Sequence, residues 1–193
     1  IVVIGKDTRL SSDMLEGALI AGLCSVGADV IGIGVVPTPA VAYLVKQYKA
    51  DAGHRSSASH NPYPYNGIKI FDGDGFKLPD ELENRVEALV LDEPETLKLA
   101  DGSELGDYTQ AATAVRDYVE HLKATVPTCL DGLHVAVDCA NGSASVSAAL
   151  LMDELGIQAD ILASEPDGVN INEGCGSTHM ENLQKYVVEH GLD

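Results

Sequence analysis

The residues whose types and spacing could do chemistry are gathered in Ser57-Ala58-Ser59-His60-Asn61-Pro62 and, shortly after, Asn66-Gly67-Ile68-Lys69. The first run follows a segment, Ala50 to Ser57, that reads as a strand. A serine just past a strand's carboxyl end sits where open α/β sheets bind ligands, so Ser59 is placed to meet one. His60 and Asn61 add polar contacts beside it, and Asn66-Gly67 supplies a turn that can bring Lys69 back toward the loop. Loops of Ser, Asn, Pro and Gly also serve as plain connectors, and on residue types alone that reading stays open. The G-x-S-x-G elbow of serine hydrolases is absent.

The elements that must position these residues alternate between strand and helix. Ile1 to Ile4 is a short apolar run ending at Gly5. Ser11 or Ser12 then caps a helix carrying Leu15, Leu19, Leu23 and Val26 at helical spacing, which Gly27 ends. Val30 to Val36 reads as a strand, Pro37-Thr38-Pro39 opens a helix through about Lys46, and Ala50 to Ser57 follows as the third strand. After the serine loop, Gly67 to Phe71 is strand-like and Pro79 to Leu91 helical. Residues 92–108 form a polar connection, and Tyr108 to Ala124 reads as one helix ended by Pro127. The alternation then restarts, with Leu133 to Val137 as strand, Ser143 to Leu155 as helix, Gln158 to Leu162 as strand and Glu181 to His190 as a last helix. This order predicts an α/β fold with a mixed, mostly parallel sheet between helices. It divides as a first domain over 1–126 and the start of a second, similar α/β domain over 127–193.

Taken together, S-A-S-H-N-P with N-G-I-K resembles the active-site loop of the α-D-phosphohexomutases. The resemblance implies that Ser59 is phosphorylated and donates its phosphoryl group to a sugar phosphate. It gives Lys69 a part in proton transfer near the attacking hydroxyl, which requires a neutral amine, and makes His60 a neighbouring active-site residue. Gly5-Lys6-Asp7-Thr8-Arg9 is similar to the family's first strand-to-helix turn, where Arg9 supports the site, with Asn61 beside it. Mg²⁺ is the implied cofactor, held through the phosphate on Ser59. Its aspartate ligands would come from a D-G-D-x-D-R run expected beyond Asp193, so the chain is expected to be part of a longer enzyme and inactive alone. Val137-Asp138-Cys139-Ala140-Asn141-Gly142 resembles the opening of the family's second domain. The run from Glu165 to His179 resembles the branch of the family that interconverts glucosamine 6-phosphate and glucosamine 1-phosphate, a step toward UDP-N-acetylglucosamine. Read plainly, the two segments are a strand end and a tight loop, and Cys139 and Cys175 are expected to be structural rather than catalytic. The rival readings are the mannose and glucose phosphate branch of the same family, and a non-catalytic sugar-phosphate-binding piece.

Two features imitate sites, and a third departs from the family pattern. Phe71-Asp72-Gly73-Asp74-Gly75 lacks the third Asp and the Arg of the family's metal loop, has Phe76 where an EF-hand needs a ligand, and is expected to be a turn. Gly32-x-Gly34 lacks the third glycine of a dinucleotide fingerprint. His54-Arg55-Ser56 stands in a strand where the family is apolar, and an unpaired arginine buried there would cost several kcal/mol.

Composition narrows the partners. Acidic residues outnumber basic ones 30 to 12, for a formal net charge of −18, which argues against nucleic acid because such partners need a basic face. A small sugar phosphate needs only a local positive site. Hydrophobic residues make up 45%, enough for a core, yet apolar runs fall far short of a membrane span and no signal peptide is visible. Cys24, Cys129, Cys139 and Cys175 form no C-x-x-C pair, which points to reduced thiols and a cytoplasmic enzyme without structural zinc. A homodimer is compatible with these features.

Overall fold

The computed structural model describes residues 1–92, 97–127 and 129–193. Residues 93–96 of the expected polar connection, and residue 128 at the start of the second segment, lie outside the described residues. Five strands form the larger sheet: β1 (Val2–Lys6), β2 (Val30–Val35), β3 (Ala52–Ser56), β4 (Ile68–Asp72) and β5 (Tyr108–Gln110), in the order β4-β3-β1-β2-β5. All neighbouring pairs are parallel except β3 with β4, so the sheet is mixed and mostly parallel as the alternation predicts. Four helices accompany it: α1 (Ser12–Ser25), α2 (Thr38–Gln47), α3 (Asp80–Leu91) and α4 (Ala114–Ala124). A second, two-stranded parallel sheet pairs β6 (His134–Asp138) with β7 (Gln158–Leu162), with α5 (Ala148–Glu154) between them in sequence and α6 (Glu181–His190) after them.

Burial explains why the sheet holds. Val3 and Ile4 point to opposite faces of β1 and both are fully buried, so helices cover both faces. On the Val3 face, Val36, Ala40, Val41, Leu44 and Val45 of α2 and the turn before it pack with Ala114 and Tyr118 of α4. Gly53 lets α2 approach β3 closely: a Cβ there would overlap Val45 Cγ2 and fall 3.1 Å from Val41 Cγ1. Gly53→Ala is therefore expected to lower stability by about 1–3 kcal/mol. The check is a urea midpoint below that of the wild type, and an unchanged midpoint would show that α2 moves off the strand freely.

Three expectations are corrected. Tyr108 to Ala124 is not one helix: Tyr108–Gln110 pairs in parallel with Val30–Gly32, and α4 begins only at Ala114. β2 would otherwise leave its outer edge unpaired, and Gly32 leaves the room that the Tyr108 ring occupies; a Cβ at Gly32 would lie 2.9 Å from Tyr108 Cε2. Ser143 to Leu155 is broken into a 3₁₀ turn over Ser143–Val146 and α5, because Ser147 leaves the helical region. Neither Ser11 nor Ser12 caps α1 through its side chain; both hydroxyls are engaged with the loop and turn described next. Among the described residues no helix is long and apolar enough to cross a membrane.

Candidate active site

The site is built where the carboxyl ends of β1 and β3 lie side by side, with Lys6 opposite Ser56. Past β1, Asp7 turns the chain and accepts hydrogen bonds from the Arg9 amide at 3.1 Å and from Ser12 Oγ at 2.8 Å. Its other carboxylate oxygen pairs with Arg9 Nη1, and neither partner is more than 2% exposed. That ion pair aims the rest of the guanidinium at the serine loop. Arg9 Nη2 donates to the carbonyl oxygens of Ser59, at 3.2 Å, and Asn61, at 2.6 Å.

The loop itself is closed by local bonds. The Ser57 amide donates to Gly67 O at 2.8 Å, next to the first β3–β4 pair, and the Asn61 amide donates to Ala58 O at 3.1 Å. Asn61 Nδ2 donates to Ala58 O at 3.0 Å, and Asn66 Nδ2 ties the loop to α1 through Ser11 Oγ at 2.9 Å. This is where the Ser11 hydroxyl is engaged instead of capping. Ser59 has φ 55°, a left-handed backbone that is unfavourable for serine by about 1–3 kcal/mol and therefore needs such support. Its amide donates to Ser57 Oγ at 3.2 Å. Ser59 is exposed, and its own hydroxyl makes no hydrogen bond to any described residue.

Ser59, Arg9 and Asn61 are thus brought together. His60 is exposed beside Ser59 and makes no hydrogen bond among the described residues. Lys69 lies on β4 opposite Arg55, exposed and without an ion pair among the described residues, so it shares the neighbourhood of the loop without touching Ser59 through a hydrogen bond. One participant escaped the sequence reading. Asn172 Nδ2 donates to the same two carbonyls as Arg9, Ser59 O and Asn61 O, each at 3.1 Å. Its position in the Asn170-to-His179 run was the only signal, and a loop asparagine reads as turn chemistry. A cleft of about 390 Å³ lies beside the loop, between Pro62, Tyr63 and Pro64 on one side and Ile171, Glu173 and His179 on the other.

Two other expectations concern charge. Asp72 closes a tight turn by accepting the amides of Asp74 at 3.0 Å and Phe76 at 2.9 Å; only residues 73–75 form the expected turn, and Phe71 and Asp72 end β4. Among the described residues no three His, Cys, Asp or Glu side chains come together to hold a metal. The described donors of this chain therefore do not fit Mg²⁺ by themselves. Arg55 is 3% exposed and has no carboxylate partner within ion-pair distance among the described residues; its guanidinium donates to Ser56 O and Ser143 Oγ, each at 2.7 Å. Burial, and then the nearby Arg9, push it down to about 10, against the raising pull of Asp7.

Comparison with known proteins identifies the family. Residues 1–96 match the family model described as phosphoglucomutase/phosphomannomutase, alpha/beta/alpha domain I. A phosphoglucosamine mutase of Acetivibrio thermocellus is 51% identical over 192 residues, and one of Caldanaerobacter subterraneus subsp. tengcongensis is 54% identical over the same length. The alignments cover all of this chain, which spans 43% of the length of those relatives. A crystal structure of a phosphoglucomutase/phosphomannomutase family protein from Burkholderia thailandensis superposes with a TM-score of 0.80 at 28% identity, over 97% of this chain and 41% of that one. Fold, family model and relatives agree: the chain belongs to the phosphoglucomutase/phosphomannomutase family of phosphohexomutases.

Proposed function

We propose that Ser59 is the phosphoryl carrier of a phosphohexomutase acting on glucosamine phosphates. The observation that carries this reading is the exposed Ser59 hydroxyl, bonded to no described residue, on a backbone that Arg9 holds by two carbonyl bonds. A hydroxyl so placed is available for modification, and its oxygen cannot drift while it carries a charged group. In the donating step the bond between phosphorus and Ser59 Oγ breaks as a new bond forms from the sugar hydroxyl oxygen to phosphorus. The hydroxyl's proton leaves to Lys69, which must be neutral to take it, and Ser59 Oγ, left with the bonding pair, takes up a proton from solvent to become the serine hydroxyl. The bisphosphorylated sugar then turns over, and its other phosphoryl group returns to Ser59 by the same step in reverse. His60 and Asn61 border the phosphoryl group, and residues 127–193 are read as the opening of the family's second domain. The cytoplasm is the proposed site of action.

Glucosamine phosphates are favoured over mannose phosphates because the two relatives at 51% and 54% identity are phosphoglucosamine mutases. The full-length protein containing this chain is expected to convert glucosamine 6-phosphate with a higher kcat/KM than mannose 6-phosphate, with phosphate mapped to the peptide carrying Ser59. A preference for mannose phosphate would move the assignment to the other branch of the family. Absence of phosphate from that peptide, with activity intact, would overturn the carrier role.

A further inference from the structure

Two donors hold the Ser59 backbone, and only Arg9 comes from an element adjacent to the loop. Asn172 lies 113 residues further along the chain, in the segment after β7. We infer that Asn172 is a positioning residue for the phosphoryl carrier, supplied by the segment that follows the second sheet; this rests on Ser59 being that carrier. Its amide has two N–H bonds and makes one hydrogen bond to each of the carbonyls of Ser59 and Asn61. The Ser59 carbonyl belongs to one of the two peptide units that set the left-handed conformation of Ser59, and the Asn61 carbonyl lies two residues on in the same loop. Held inward by both Arg9 and Asn172, they cannot swing toward the phosphoryl group, where their negative ends would repel it.

Asn172 is itself held from several directions. It has φ 60°, a conformation that asparagine tolerates better than most residues, and its amide donates to Ala140 O at 2.9 Å. Gly176 packs against it: a Cβ there would fall 2.8 Å from Ala140 Cβ and 3.3 Å from Asn172 Oδ1. The Gly176 amide is fixed on Asp138 Oδ2 at 2.7 Å. The loops after the two strands of the second sheet each meet the Arg9 turn once, after β6 through Thr8 Oγ1 to Asn141 O at 2.6 Å and, in the Asn172 segment after β7, through the Leu10 amide to Gly168 O at 2.8 Å. The side-chain amide is therefore presented to the loop by a fixed backbone, across the seam between the two sheets.

Two substitutions separate this role from simple packing. Asn172→Gly suits φ 60° and removes the donor; Asn172→Asp keeps the shape and replaces the donor with a carboxylate oxygen facing two carbonyls. In the full-length protein, Asn172→Gly is expected to lower kcat roughly tenfold with KM little changed, and to speed amide exchange in the Ser59–Asn61 peptide by a similar factor. Asn172→Asp is expected to be the slower enzyme of the two. A space-filling role predicts the opposite order, so an aspartate variant faster than the glycine variant overturns the inference. So do unchanged kcat and exchange in both variants while Ser59 carries phosphate. A wild-type protein without phosphate on Ser59 overturns the carrier reading itself, and the catalytic half of the inference with it.

Discussion

Ser59→Ala is expected to abolish turnover in the full-length protein, with kcat falling by at least about 10³-fold, while Ser57→Ala keeps most of it. The two serines are two residues apart and differ in what their hydroxyls do. A carrier must offer one oxygen to phosphorus, and alanine at position 59 removes that oxygen outright; enzymes working through a covalent intermediate lose activity on this scale or more when the nucleophile is deleted. Ser57 is buried at the end of β3, where its Oγ accepts the Ser59 amide at 3.2 Å. Losing that bond costs about 0.5–1.5 kcal/mol. If all of it appeared in the barrier, the rate would fall roughly tenfold at most. Mapping should show phosphate on the loop peptide of wild type and Ser57→Ala and none in Ser59→Ala. An active Ser59→Ala beside a dead Ser57→Ala would mean that the chemistry is assigned to the wrong hydroxyl.

That contrast depends on the loop, and the loop was legible in the sequence for a specific reason. Ser59, His60, Asn61 and Lys69 fall within eleven consecutive residues, so one motif carries their identity. The Arg9 turn was legible for the same reason. Asn172 was not, because its role exists only through a contact 113 residues away. Similar logic separates the elements. β7 and α6 fall where local pattern places them, since a short run rich in apolar residues and an amphipathic stripe are properties of a few neighbouring residues. β5 has only three residues, and its pairing is decided by the free edge of β2, so nothing local distinguishes Tyr108–Gln110 from the start of a helix. Ser11 and Ser12 carry a capping signal, yet Asn66 and Asp7 compete for their hydroxyls and prevail. Sites override local preference where tertiary partners offer more than the helix end does.

Replacing the polar pair in β3 by apolar residues, His54→Val with Arg55→Met, is expected to stabilise the protein and to remove part of its acid sensitivity. His54 is 4% exposed, sits between Ile4 and Ile70 in the sheet register, and neither ring nitrogen has a hydrogen-bond partner among the described residues. Burial, aided by the charge of Arg55, pushes it from 6.5 down to about 4. An unfolded chain therefore takes up a proton below pH 6.5 that the folded chain refuses, so stability falls as pH drops from 6.5 to 4. At about 1.4 kcal/mol per pH unit the full loss is about 3 kcal/mol. The 30 acidic residues also titrate in this window, so the measurement is the difference between wild type and His54→Val, which should grow as pH falls. Arg55 behaves differently. It stays charged at neutral pH in both states, and one carboxylate, Asp7, serves two buried guanidinium groups, Arg9 and Arg55. Removing the unpaired cation while keeping its volume should add about 1–4 kcal/mol at pH 7, less what Ser143 loses with its partner. For a chain of this size that is roughly 2–4 °C in Tm per kcal/mol. Urea unfolding of the single and double variants at pH 7 and pH 4.5 resolves the two contributions. If Arg55→Met lowered the midpoint instead, its bonds to Ser56 and Ser143 would outweigh its burial, and the guanidinium would be a structural strut between the two sheets rather than a burden on β3.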